Sequence, residues 1–291
     1  MKIATKDFVI AEGAGVDLKR RKTRTRPVYR SQEHYAQILA DHVARLRDLQ
    51  ERHYAANRHA LLFIFQAMDA AGKDGVIRHV MSGINPQGCQ VSSFKHPSAA
   101  ELEHDFLWRT AVRLPERGQI GIFNRSYYEE VLVVKVHREI LAAEGVPPTG
   151  EHGHVWRERY RSITGFERHL HANGTRIVKI FLHLSKEEQR QRFLARIEQP
   201  HKNWKFSDAD LAERQHWKAY RRAYEDCIAA TSTATAPWYV VPADDKANAR
   251  LIVSQIVREA MEALDPQFPA MSAERQAQLA ACRARLLAEG D

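Results

Sequence analysis

Nowhere does the chain carry an apolar run near the roughly 18–20 residues that a membrane-spanning helix needs, so no transmembrane helix and no membrane partner are expected. Its first residues, Met1 to Asp7, lack an apolar signal core, which predicts a cytoplasmic chain that is not exported. Cysteine is scarce. Cys89, Cys227 and Cys282 are odd in number, scattered and without metal-ligand spacing. That excludes a disulfide framework and fits a reducing compartment. There is no G-x-S-x-G, no CxxC and, among 15 histidines, no H-x-x-x-H pair. Hydrolase, thiol-redox and helix-borne zinc chemistry therefore lack support. What the chain has in excess is positive charge: 44 Lys and Arg against 36 Asp and Glu, a net +8. Such a balance implies an anionic partner, whether nucleic acid, a membrane surface or a heavily phosphorylated ligand.

The stretch from Leu61 to Gly75 organises the rest. Leu61 to Gln66 form a short, nearly unbroken apolar run, the pattern of a buried strand. Small residues follow, then Gly72, then Lys73, then a segment able to start a helix. This is the order of a phosphate-binding loop, in which backbone N–H groups and the helix dipole converge on an anion. Lys73 adds a mobile positive charge. The match to G-x-x-x-x-G-K-[ST] is partial, because Ala67 replaces the first Gly and Asp74 the magnesium-ligating Ser or Thr. An ordinary strand–turn–helix would read similarly.

Four more strands are predicted: Cys89 to Phe94, Gln119 to Asn124, Thr175 to Leu184 and Trp238 to Val241. Helical periodicity predicts helices over 31–53, 73–84, 98–113, 154–172 and 245–264, and others starting near Arg125, Ser185 and Ser207. The Gly- and Pro-rich residues 139–154 read as a loop. Residues 1–30, with the basic run from Lys19 to Lys22, Arg24 and Arg26, read as an extension. It is either a solvated tail or an arm along an anionic ligand. Residues 266–291 read as a linker and a tail helix. Five strands alternating with helices argue for an α/β chain with a parallel sheet covered on both faces. Ligands of such sheets sit beyond the C-terminal strand ends. Asp69 to Asp74, Lys95, Asn124 to Glu129 and the basic helices after Leu184 fall there.

Phosphoryl transfer needs positioning and electrostatic stabilisation more than covalent chemistry. Asp69 and Asp74 offer hard oxygens for Mg²⁺, Asp69 being the better candidate. Asn124 is at best a neutral oxygen ligand, and Arg125 a planar five-donor cation suited to phosphate. Residues 186–222 carry ten Lys or Arg and six Asp or Glu, with Arg192 and Arg196 four apart on one helix face. Trp204, between Lys202 and Lys205, marks a connector that could act as a lid excluding water.

Three segments together resemble the polyphosphate kinase 2 family: Ala67 to Gly75; Phe123 to Leu132 with Val134 to His137; and Arg192 to Arg196 followed by Asn203 to Ser207. The ordered resemblance spans roughly residues 30–265. It implies a P-loop kinase-like three-layer sandwich with a helical lid over about 186–222. It also implies phosphoryl transfer between inorganic polyphosphate and a nucleotide, with Mg²⁺ (Mn²⁺ as a substitute), in a homo-oligomer, dimer or tetramer. By carry-over, Asp69 and Lys73 belong to the Walker A site and Arg125 to the Walker B segment, and these are the expected catalytic residues, with Asp69 the metal ligand. Gly72, Asp74, Gly75, Lys95, Lys135, Arg192, Arg196 and Lys205 are the expected phosphate contacts, the last three from the lid. Asn124, Tyr128 and Glu129 are the expected nucleotide contacts. Asn124 departs from the Asp common in the family and is similar to its class III branch, which phosphorylates nucleoside mono- and diphosphates. An ATP-using nucleoside or nucleotide kinase of the same fold is the alternative. A nucleic-acid-binding module is disfavoured, because few aromatics interleave with the basic runs.

Overall fold

The computed structural model describes residues 3–144 and 152–289. A two-residue strand, Val9–Ile10 (β1), precedes helix Gln32–Ala56 (α1). Ser31 caps α1 by accepting the His34 N–H, and Asn57, in the left-handed region at φ 46°, ends it. Strand Ala60–Ala67 (β2), helix Lys73–Val80 (α2) and strand Cys89–Ser93 (β3) follow. Two single turns, Ala99–Leu102 (α3) and Trp108–Ala111 (α4), lead to strand Ile120–Asn124 (β4). Helices Glu129–Val136 (α5), Arg138–Ala143 (α6) and His152–Ala172 (α7) come next, then strand Thr175–His183 (β5). Helices Lys186–Glu198 (α8), Asp208–Gln215 (α9) and Trp217–Thr231 (α10) precede strand Trp238–Pro242 (β6). Helices Lys246–Glu262 (α11) and Ala273–Ala288 (α12) close the described chain. None of these helices is long and apolar enough to cross a membrane.

The strands form one sheet in the order β1-β6-β5-β2-β4-β3, parallel except where β1 joins β6. All eight residues of β2 are buried. Their side chains alternate between faces, as strand geometry requires. Leu61, Phe63 and Phe65 pack toward α1, α2 and α11, among Leu46, Val76 and Ile256. Leu62 and Ile64 pack toward α5, α7 and α10, among Val131, Ile163 and Ile228. A strand covered on both faces reads as a continuous apolar run, which is why this one is legible.

Several expectations need correction. The sheet has six strands, not five, because residues expected as an N-terminal extension supply β1. Ile3, Ile10 and Leu18 from that stretch are buried in the core. The helix expected over 98–113 is two turns, parted where Asp105 accepts the Leu107 N–H. The helix expected from Ser207 breaks at His216, between α9 and α10. The loop expected over 139–154 contains α6 and the first turn of α7, and its remainder lies outside the described residues.

One buried charge ties the second layer together. Lys179, in the middle of β5 and fully buried, donates to Glu167 at 2.6 Å, to the Thr231 carbonyl at 2.6 Å and to the Tyr128 hydroxyl at 3.0 Å. The Tyr127 and Tyr128 hydroxyls donate to the same carboxylate at 2.9 and 2.7 Å. Burial pushes the lysine's pKa down, while Glu167 opposes the shift. Removing one partner of such a pair strands the other charge. Lys179→Met should therefore cost about 3–5 kcal/mol in urea unfolding, and adding Glu167→Leu should recover a large part of it.

Candidate functional site

A cleft of about 720 Å³ opens at the C-terminal ends of β2 and β4. On its floor the chain leaves β2 and turns sharply. Ala70 has φ 60° and Gly72 φ 99°, both in the left-handed region. Glycine accepts this freely, whereas a residue with a Cβ pays about 1–2 kcal/mol. Arg192 of α8 holds the turn in place. Its Nη1 donates to the Ala70 and Ala71 carbonyls at 3.0 and 2.8 Å, and its Nη2 to the Ala243 and Asp244 carbonyls at 2.6 and 3.3 Å. Its Nε donates to Glu188 at 3.0 Å, and neighbouring Gln189 donates to the Asp69 carbonyl at 3.0 Å. The loop's carbonyls are thus tied down into α8 and β6. No side chain caps α2, so the N–H groups of Lys73, Asp74 and Gly75 keep no intrahelical partner, and all three residues line the cleft.

The end of β4 supplies the facing group. Arg125 adopts φ 65°, and its N–H donates to the Phe65 carbonyl at 3.0 Å. Its guanidinium lies 3.4 Å from Asp69 and 3.7 Å from Glu129. Asn124 donates from its side-chain amide to Asp74 at 2.7 Å, so strand end and helix start are bonded directly. Lys73 folds back, donating to the Ala67 carbonyl at 3.2 Å. Burial and then the Arg125 charge push the Lys73 pKa down, against the pull of Asp69. Burial pushes Glu129 up, partly offset by Arg125 and Lys73. Burial disfavours the charged form of Arg125, yet Glu129 and Asp69 raise its pKa on balance.

Around this floor stands a cationic wall. Among the described residues, ten basic and three acidic side chains line the cleft. Sequence reasoning missed Arg78, Lys246 and Arg250 as site residues. The four-residue spacing of Lys246 and Arg250 was a readable signal for a shared helix face, but only the sheet order brings the start of α11 beside the loop. Lys202, read only as a flank of Trp204, also lines the cleft, as does Asp210. Burial, Arg192 and Lys202 together lower the Lys246 pKa, a sign of crowded like charge.

The structure brings together Asp69, Gly72, Lys73, Asp74, Gly75, Lys95, Asn124, Arg125, Arg192, Arg196 and Lys205. Four expected direct contacts do not fit the geometry. Tyr128 is fully buried and bonded to Glu167 and Lys179, so it cannot touch a nucleotide. Lys135 donates to Asp226 at 2.7 Å and to the Tyr160 hydroxyl at 3.1 Å. Six residues along α5 carry it about 9 Å beyond Glu129, away from the strand ends. Glu129 stands behind Arg125 and orients it rather than lining the cleft. Arg192, also expected to contact phosphate, reaches the cleft wall with every donor engaged by protein. Arg196 is partly neutralised by Asp210 at 3.1 Å.

Asp69 and Asp74 are cleft carboxylates without a partner on α8 or α9 among the described residues, and Asn124 donates to Asp74. Among the described residues no group of three or more His, Cys, Asp or Glu could hold a metal by itself. That donor set fits Mg²⁺, which keeps several waters and is held by one or two carboxylates plus substrate phosphates. It does not fit a zinc site closed by protein ligands.

Arg192→Lys keeps the charge but cannot reach several carbonyls at once. If the loop relaxes by about 1 Å, activity in steady-state kinetics should fall about a hundredfold.

The sequence model of the polyphosphate kinase 2 family matches residues 29–269. The chain is 63% identical over 288 residues to an ADP-polyphosphate phosphotransferase of Rhodopseudomonas palustris, covering 99% of this chain and 100% of that one. It is 48% identical over 225 residues to an AMP/ADP-polyphosphate phosphotransferase of Meiothermus ruber, covering 77% and 80% of the two chains. The crystal structure of polyphosphate kinase 2 from Arthrobacter aurescens TC1 superimposes with a TM-score of 0.86 at 37% identity, covering 96% of each chain. With the Asp69–Gly75 loop, the Arg125 strand end and the basic wall in place, these likenesses agree on one assignment: the chain belongs to the polyphosphate kinase 2 family.

Proposed function

We propose that this enzyme transfers phosphoryl groups between inorganic polyphosphate and nucleoside mono- and diphosphates, with Mg²⁺ bound at Asp69. The observation that carries the reading is the cleft lining, ten basic side chains against three acidic ones around the uncapped start of α2. A single nucleotide does not call for so many cations. Two polyanions meeting head to head do, because their mutual repulsion must be offset before an oxygen of one can approach a phosphorus of the other.

The roles follow from position. The N–H groups of Lys73, Asp74 and Gly75 cradle a phosphate, and Lys73 swings from the Ala67 carbonyl to the transferring group. Arg125, oriented by Glu129 and Asp69, faces the same point from β4. The acceptor oxygen attacks the terminal phosphorus in line; the bridging P–O bond breaks, and the shortened polyphosphate leaves as an anion. An acceptor phosphate is already ionised, so no general base is required. Asp69, with Asp74 and Asn124 beside it, would hold Mg²⁺, which neutralises charge on the bridging and transferred oxygens when bound. Lys202 and Lys205, on the connector between α8 and α9, approach from the lid side, where closure excludes water as a competing acceptor.

The closer relatives differ in name, one for ADP and one for AMP and ADP. Asn124 in place of a carboxylate favours the broader acceptor range. Incubated with polyphosphate, Mg²⁺ and AMP, the protein should form ADP and then ATP, read by chromatography. ADP accepted and AMP refused would restrict it to diphosphates, and transfer from ATP alone would make it an ordinary nucleotide kinase. Lys73→Ala should lower kcat by about a thousandfold while leaving the circular dichroism spectrum unchanged.

A further inference from the structure

The basic run near the N-terminus lies outside the matched family region, yet it is built into the fold beside the cleft. Residues 19–30 hold seven cations and no carboxylate. A solvated tail would leave such a run loose. Here backbone and small side chains are pinned at short intervals. The Leu18 N–H donates to Glu225 at 2.9 Å, and the His183 ring bonds the Leu18 and Arg21 carbonyls at 3.0 and 3.2 Å. Thr23 donates from its hydroxyl to Asp244 at 2.7 Å and accepts the Asp244 N–H on its carbonyl at 3.0 Å. Asn248 donates to the Thr25 hydroxyl at 3.0 Å and accepts the Val28 N–H at 2.9 Å. With the backbone held, the long cations turn outward. Arg20 is 88% exposed and Arg24 64% exposed.

The segment's anchors are also the cleft's neighbours. Asp244 offers its carbonyl to Arg192, and Asn248 lies on the first turn of α11 with Lys246. Arg24 approaches Glu188, the partner of Arg192, at 3.9 Å. Beyond Arg24, a groove of about 400 Å³ lies against the end of β6, with Arg21, Lys22 and Arg26 on its rim and Asp7 as its carboxylate. None of those three cations forms an ion pair with the described residues. Positive charge therefore runs from Lys246 and Arg250 at the cleft, past Arg24, to this groove.

We infer that the segment from Lys19 to Arg26 is a second binding track for the donor, holding the part of a long polyphosphate chain that protrudes from the cleft. The inference rests on the proposed activity. A linear polyanion suits it better than nucleic acid, because the track joins the cleft and its groove offers one half-buried aromatic, Phe8, where base stacking needs a row of exposed rings. A pinned row of cations loses little freedom on binding, so each contact adds to affinity at low entropic cost. The track extends the grip on long chains and leaves short ones to the cleft alone, which makes it a chain-length selector.

The test compares kcat/KM for long-chain polyphosphate with that for tetraphosphate, a ratio that cancels any common loss of folded enzyme. In the variant carrying Arg21→Ala, Lys22→Ala and Arg26→Ala the ratio should fall about fivefold at low salt, the scale of three screened surface contacts. The fall should shrink as salt is raised. The variant carrying Arg58→Ala, Arg113→Ala and Arg117→Ala removes equal charge from exposed positions around the opposite, N-terminal ends of β2 and β4, and should keep the wild-type ratio. Equal ratios in wild type and track variant, with the wild type active on both donors, would overturn the track alone. No transfer from either donor would overturn the activity and the track with it. RNA binding that the track variant loses, at an unchanged donor ratio, would reassign the segment to nucleic acid.

Discussion

The floor of the cleft depends on one buried guanidinium. A loop whose N–H groups face a cleft has to point its carbonyls somewhere else. Arg192 gathers those of Ala70, Ala71, Ala243 and Asp244, and Glu188 neutralises it from its own helix. The same contacts join three elements, the loop after β2, the residues after β6 and α8. An arginine suits the task because its five donors are fixed in a plane and it stays charged even where burial lowers its pKa. Left free, the loop carbonyls could turn toward the phosphates and repel them.

A second buried cation does similar work deeper in the core. Lys179 and Glu167 hold the aromatic pair Tyr127 and Tyr128 under the first turn of α5. That turn also begins the path to Glu129, which stands against Arg125. The orientation of the Arg125 side chain is therefore coupled, through a few residues of helix, to a salt bridge that never meets solvent. Buried charges are costly to desolvate, and this one is satisfied by three acceptors.

Much of this was legible in the sequence, and the misses share a cause. β2 announced itself because a strand buried on both faces has no polar positions to confuse the pattern. The loop from Asp69 to Gly75 and the Asn124–Arg125 pair stood out because small residues and charges sat at strand ends. Tyr128 and Lys135 were misplaced because nearness in sequence to a strand end is not nearness in space. Arg125 sits in a left-handed turn at φ 65° before α5 begins, and this turn leaves the arginine at the cleft and sends Tyr128 into the core. Arg192 and Arg196 share a face, yet one is consumed by the loop and the other by Asp210; spacing gave the face but not the partners. β1 has two residues and no period to detect. Lys246 and Arg250 join the cleft only through the sheet order, which no local pattern encodes.

The cationic cleft has a consequence for the empty protein. Like charges packed around one strand edge repel one another, and the folded state must hold them together with few internal counterions. Lys73 and Lys246 are each made easier to deprotonate, first by burial and then by neighbouring cations. Any multivalent anion that settles there relieves the repulsion in the native state and has no equivalent site in the unfolded chain, so it raises stability by mass action. A fold whose cleft gathers so much like charge is expected to be less stable without a bound anion than with one.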